Sequence, residues 1–212
     1  MALIFGGLGQ VQASPVTSLF NTGVDASGIP LPNGSIGDPH YNLVSVPGGT
    51  TNTLVCSSSA TCPSSYLGPN SSSAWIGPNK NGLWGPEGLY DYKTTFNLSG
   101  FDPSTTKIIG KWSSDNNGVS ILLNGVNTGN PATNFEQFKL SFAPFSINSG
   151  FQSGINTIEF IVNNGHLTGY TENATALRVE MTGTATVVPV PAAIWLFSSA
   201  LAGLIGLATR RK

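Results

Sequence analysis

Tyr90-Asp91-Tyr92-Lys93-Thr94-Thr95-Phe96 decides the fold. Tyr90, Tyr92, Thr94 and Phe96 alternate with Asp91, Lys93 and Thr95. A period of two places one set on each side of an extended strand, so one face is apolar and the other wet. The same period recurs downstream. Ile108, Gly110 and Trp112 alternate with Ile109 and Lys111, and Val119, Ile121 and Leu123 with Ser120, Leu122 and Asn124. Leu140 and Phe142 lie two apart within 138–147. Ile158, Phe160 and Val162 alternate with Thr157, Glu159 and Ile161, and Leu177, Val179 and Met181 with Arg178, Glu180 and Thr182. Asn124-Gly125 follows an apolar run and reads as a tight turn, because both residues tolerate positive φ. The pattern predicts about eight strands and no helix before residue 192. One apolar and one polar face per strand implies antiparallel sheets. The expected architecture is all-β: an antiparallel two-sheet sandwich of jelly-roll type, followed by one C-terminal transmembrane helix.

Composition agrees with many short strands. The chain has 212 residues, with 26 Gly, 14 Pro and only 9% charged residues. Gly, Asn, Ser and Thr are weak helix formers and favour turns. Residues 14–89 read as loop-rich, with prolines at 30, 32, 39, 47, 63, 69, 78 and 86 and candidate strands at Ser18–Asp25 and Asn42–Val46. Net charge is −1. Without Arg210, Arg211 and Lys212 the chain keeps 6 basic against 10 acidic residues. Such a balance offers no basic stripe for phosphates and speaks against nucleic-acid binding.

The last stretch carries an address. Val187-Val188-Pro189-Val190-Pro191 precedes an apolar run from Ala192 to Thr209, which is closed by Arg210-Arg211-Lys212. As a helix, residues 192–209 would be roughly 27 Å long, enough for the hydrocarbon core of a bilayer. The cations would stay on the cytoplasmic side, and Trp195 suits the outer interface. This tail resembles the PEP-CTERM sorting signal of Gram-negative bacteria, with its Pro-x-Pro motif, transmembrane helix and Arg-rich end. The name-giving motif is Pro-Glu-Pro, and here the middle residue is Val190. Val188 to Leu196 fits the variant Val-Pro-x-Pro-Ala-Ala-x-Trp-Leu throughout. The resemblance implies an exosortase as partner, a membrane-embedded cysteine transpeptidase-like enzyme cutting near Pro189-Val190-Pro191. It also implies passage through the inner membrane as a transient single-pass protein, then a cell-surface or extracellular location linked to exopolysaccharide and biofilm. The competing reading of the same tail is a plain anchor that is never cut.

At the other end, Met1 to Leu8 is apolar and small, and Val11-Gln12-Ala13 fits a small-x-small cleavage site. Residues 1–13 are expected to be the remnant of a signal peptide, 14–186 the exported sandwich and 187–212 the sorting signal. A buried first strand is the alternative for the first of these. In an exported chain Cys56 and Cys62 are expected to pair as a disulfide bracing a Ser-rich loop, since two Cys without a nearby His are too few for zinc.

Four stretches are similar, in order, to galactose-binding-like sandwiches: residues 90–96, 110–118, Leu123-Asn124-Gly125 and Gly154-Ile155-Asn156-Thr157-Ile158-Glu159-Phe160. The similarity spans residues 88–184. It implies the fold, and many members of that fold bind no sugar.

Catalytic constellations are sparse. His occurs at His40 and His166 only, and there is neither a Gly-x-Ser-x-Gly elbow nor a His-Glu-x-x-His motif. The chain is therefore read as non-enzymatic, with no cofactor and no metal. Asp115-Asn116-Asn117-Gly118 is either an ordinary turn or a loop offering oxygens to a sugar or a structural calcium. Trp112 is read as core from its alternation with Ile108. Trp75 and Trp84, in Gly/Pro-rich surroundings, are candidate surface platforms for sugar rings. Two alternatives to a purely structural surface protein follow. One is a carbohydrate-binding module using Trp75, Trp84 and the 115–117 loop. The other is a secreted hydrolase, which needs two carboxylates within about 10 Å in a cleft.

Overall fold

The computed structural model describes residues 12–49, 52–58, 62–68, 70–78, 83–135, 137–165, 169 and 171–189. Residues 1–11 and 190–212 lie outside the described residues. With them go most of the leader remnant, Val190, Pro191, Trp195, Arg210, Arg211, Lys212 and the expected helix 192–209. Among the described residues no helix is long and apolar enough to cross a membrane.

Thirteen strands and one short helix appear among the described residues. They are β1 (Ala13–Pro15), β2 (Tyr41–Ser45), β3 (Thr53–Cys56), β4 (Trp75–Pro78), β5 (Trp84–Pro86), β6 (Gly88–Asn97) and β7 (Phe101–Asp115). After them come β8 (Asn117–Leu123), β9 (Val126–Asn127), α1 (Gln137–Leu140), β10 (Ala143–Ile147), β11 (Ile155–Asn164), β12 (Glu172–Ala174) and β13 (Ala176–Val187). One sheet runs β10-β7-β13-β4-β3, with β1 also on β13, and a second runs β2-β6-β11-β8-β9. A small ribbon pairs β12 with β5. Every pairing is antiparallel. The molecule is thus mostly β and built as a sandwich, as the alternation predicts.

The two sheets meet face to face through aromatic side chains. Phe160 on β11 receives Trp112 of β7 at 5.7 Å, Phe145 of β10 at 5.8 Å and Tyr41 of β2 at 6.4 Å between ring centroids. Tyr90, Tyr92 and Phe96 of β6 and Leu177, Val179 and Met181 of β13 fill the same core. These are the inward sets of the period-two runs.

A second apolar cluster lies on the other side of the first sheet. It contains Cys56, Tyr66, Trp75, Leu83, Phe138 and Ala176. Cys56 faces Trp75 across the β3–β4 pairing, while the neighbouring Ile76 points into the main core. The Cys56–Cys62 disulfide ties the 62–68 segment to β3, and that segment and α1 cover this part of the sheet. Here the expectation for Trp75 is corrected. It is 1% exposed, donates from Nε1 to Leu67 O at 3.0 Å and lies 4.6 Å from the Tyr66 ring. Its strand is interior to the sheet, and the loop that looked like surface folds down over it.

Three local expectations also change. Residues 138–147 divide into α1 and β10, because Phe138 turns into the second cluster. Ser18–Asp25 is not a strand, although Thr22 N donates to Val179 O at 3.1 Å and Ala74 N to Thr22 O at 2.9 Å. Val119 is 45% exposed, because the β8–β11 register slips between Gly118 and Ser120 and lifts it out of the inward set.

Gly118 permits a close approach of the two sheets. A Cβ there would drive into the Trp112 ring and stand 2.8 Å from Thr133 Oγ1. Gly118→Ala is expected to cost about 1–3 kcal/mol by overpacking, measured as a shift in urea midpoint. Replacing both cysteines by serine is expected to lower stability by about 2 kcal/mol, from the short loop the disulfide closes.

Candidate functional site

The 115–117 stretch sits where β7 turns into β8, at one end of the sandwich. Asp115 is 4% exposed and Asn116 7%. The Tyr66 hydroxyl donates to Asp115 Oδ2 and Asn116 Nδ2 to Asp115 Oδ1, both at 2.7 Å. Thr175 Oγ1 donates to the Asp115 carbonyl at 2.7 Å, and Gly165 N to Asn116 Oδ1 at 2.7 Å. One residue pair thereby clasps four segments: the disulfide-held loop through Tyr66, the β7–β8 bend, the end of β11 through Gly165, and the start of β13 through Thr175. Asn164 and Asn173 extend the stitching. Asn164 Nδ2 donates to Gly85 O at 2.9 Å, and Asn173 Nδ2 to Gly165 O at 2.8 Å. Asn117 opens β8 opposite Asn163.

This arrangement is inward-looking. Both carboxylate oxygens of Asp115 accept from protein donors, so the loop is closed on itself. Among the described residues no group of three His, Cys, Asp or Glu could hold a metal ion. Tyr66, Asn164, Asn173 and Thr175 were invisible as partners in the sequence. The sequence marked the bend at 115–118 and nothing marked what it would touch.

Trp84 is 37% exposed. It lies on β5, facing Ala174 of β12, and is separated from the now-buried Trp75. The two tryptophans do not form a shared platform. Trp112 is fully buried.

Two carboxylates share the outward face of the second sheet. Lys93 Nζ stands 2.8 Å from Glu159 Oε1, and Asp91 lies two residues before Lys93 on β6. Burial, and then the Glu159 charge, push Asp91 up to about 6. On the first sheet Arg178, 1% exposed, donates from Nε to Ser73 Oγ at 2.8 Å and from Nη1 to Gly68 O at 2.8 Å. Glu180 Oε1 accepts from Asn70 at 2.7 Å and Ser73 at 2.8 Å, and its Oε2 pairs with Lys111 at 3.0 Å. These contacts pin the 68–73 segment to the sheet. They are structural, since each charge already has protein partners.

No protein-family model matches the chain, and no curated protein matches it either.

Burial pushes Asp115 up to about 7, against the opposing effect of the Tyr66 and Asn116 hydrogen bonds. The folded state therefore holds a proton between roughly pH 4 and 7 where the unfolded chain, with an ordinary Asp, has lost it. Stability from this group is fullest below that window and falls as pH rises through it; Asp91 acts in the same sense. The domain is expected to be more stable at pH 5 than at pH 8. Asp115→Asn is expected to shrink that difference by roughly 1–4 kcal/mol. Denaturant midpoints of both proteins at the two pH values check this. An unchanged difference in the variant would remove Asp115 as its source.

Proposed function

We propose that the chain is an exported, non-enzymatic cell-surface or matrix protein, sorted by a PEP-CTERM-like signal, processed by an exosortase and linked to exopolysaccharide or biofilm. The observation that carries this reading is the order Pro189-Val190-Pro191, apolar 192–209 and Arg210-Arg211-Lys212. Two structural features support it. The last strand ends at Val187, and Val188 N donates to Gly100 O at 2.8 Å. The last described strand thus ends two residues before Pro189, which is exposed. The Cys56–Cys62 disulfide suits an oxidising compartment on the far side of the inner membrane.

In this reading residues 1–13 are a leader remnant, 14–186 the exported domain and 187–212 the sorting signal. The apolar helix holds the chain in the inner membrane, with its basic end retained inside. The motif is presented at the outer face, and cutting there releases or re-attaches the sandwich. The strand order favours a jelly roll for that sandwich. Successive strands β4, β6, β7 and β8 cross from one sheet to the other, and β10, β11 and β13 return the same way. The galactose-binding-like resemblance of residues 88–184 belongs to the same proposal. A secreted hydrolase is the weaker reading. Its best carboxylate pair is Asp91 with Glu159, and Glu159 is held by Lys93.

The intact mass of the protein recovered from its native cell surface or medium tests the sorting step. A species ending near Pro191 is expected. A species that retains Arg210-Arg211-Lys212 would make the tail a permanent anchor and remove the exosortase from the account.

A further inference from the structure

We propose that a cleft along β6, on the outward face of the five-stranded sheet, binds a neutral polysaccharide. The cleft has a volume of about 370 Å³, within the range of small-ligand sites, roughly 300–1,000 Å³. Its floor is the outward set of β6: Lys93, Thr95 and Asn97. Asn42 and Val44 of β2 form one side, and Ile155 of β11 closes the other.

The remaining wall is built and held. Phe20 and His40 lie flat against each other, 3.6 Å between centroids and 2° from parallel. Tyr41 donates from its hydroxyl to Phe20 O at 3.0 Å. Buried Asp38 fixes the other half, accepting from His40 N at 2.7 Å, Tyr41 N at 3.0 Å and Gly23 N at 2.6 Å. Ser18 Oγ accepts from Asn97 N at 2.9 Å and fastens this segment to the end of β6. A wall pinned at both ends needs little ordering when a ligand arrives, which lowers the cost of binding.

The chemistry of the lining selects the ligand class. The one cation on the floor, Lys93, is already paired with Glu159, so the cleft does not call for an anion. Asn42 and Thr95 are exposed, and their side chains have no hydrogen-bond partner among the described residues. They offer amide and hydroxyl groups beside the apolar surfaces of Val44, 49% exposed, and Ile155, 56% exposed. Paired polar and apolar patches match the hydroxyl edge and the C–H face of a pyranose ring. An extended peptide would find no strand edge on the floor, since β6 is held by β2 and β11; the edge strand β2 stands at the side of the cleft. This proposal names the partner class for the exopolysaccharide reading and rests on it for the ligand's source, not for the cleft's chemistry.

The test is affinity electrophoresis of the full chain, in mild detergent, through gels containing dextran, galactomannan, laminarin or alginate. Five variants accompany the wild type: Asn42→Ala, Thr95→Ala, the double variant of these two, Thr95→Trp and Trp84→Ala. The wild type should be retarded by at least one neutral polysaccharide. Each cleft variant should weaken that retardation, and the Asn42→Ala/Thr95→Ala double variant by about tenfold, the loss of two hydrogen bonds. Thr95→Trp fills the cleft where the alanines empty it, so a shared loss with unchanged far-ultraviolet circular dichroism and urea midpoint locates the site. Trp84→Ala should bind like the wild type. Retardation by alginate alone, by none of the four, or lost in Trp84→Ala but kept in the cleft variants would overturn the proposal. The mass measurement is independent: a chain cut near Pro191 that binds no glycan, or an uncut chain that binds, tells the two readings apart.

Discussion

The pairing of β7 with β13 is the constraint on which the rest of this molecule depends. The ladder runs from Asp115↔Ala176 to Phe101↔Val187, with one irregularity between Thr184 and Thr186. It joins residues that are far apart in sequence, and closing so long a loop costs entropy before any contact is gained. The return comes from what the two strands carry. Trp112 lies opposite Val179, and the Trp112 ring reaches across the sandwich to Phe160. β10 attaches to the outer side of β7, and β4 and β1 attach to β13. If this pair slipped by one residue, Trp112, Val179 and Met181 would turn to solvent together, because side chains alternate faces along a strand.

Much of this was legible wherever the second face of a strand is wet or, as at Arg178 and Glu180, covered but polar. The runs Tyr90–Phe96, Ile108–Trp112, Ile158–Val162 and Leu177–Met181 all keep their apolar sets in the core. Legibility failed where both faces are buried. β4 is buried at every position, so it shows no alternation, and its Trp75 looked like a loop residue among glycines and prolines. It also failed at irregularities. Val119 obeys the period but sits on a bulge, and a bulge leaves no mark on apolar spacing. The first half of β7, Phe101 to Lys107, contains Pro103 and little apolar surface. Its strand character comes from the ladder to the end of β13, a partner that local pattern cannot name. In the candidate site the sequence marked the bend at 115–118 but not its partners, since Tyr66 and Thr175 meet Asp115 only through tertiary closure.

The polar interior explains how a chain so poor in charge holds its loops. Asp115 and Arg178 are both nearly inaccessible, and each gathers donors or acceptors from the same loop region. Asp115 takes Tyr66, while Arg178 reaches Leu67 O, Gly68 O and Ser73. Burying such groups without partners would cost several kcal/mol, so the loop and the charges hold each other in place. The disulfide adds a covalent limit at Cys62, a few residues from Tyr66. Carbonyls of the loop accept from Nη1 of the buried arginine, and a segment with little secondary structure becomes part of the sandwich.

These contacts make the two outward faces unequal. On the six-stranded sheet the loop, α1 and the Arg178–Glu180 network cover β3, β4 and the upper part of β13 with protein. The five-stranded sheet has no such cover among the described residues. Its outward side keeps Leu89 at 55%, Val119 at 45% and Ile155 at 56% exposure, interspersed with Thr, Asn and the Lys93–Glu159 pair. Apolar groups scattered singly on a sheet face are ordinary. What is particular to this face is its edge, shaped by two stacked rings, Phe20 and His40, and by the buried Asp38. That edge is tied to the core, because Asp38 and the Phe20 carbonyl both hold Tyr41, which packs on Phe160. The hydrogen bonds that seat Tyr41 in the core therefore also fix the rim of the cleft, so the shape of that rim comes with the fold.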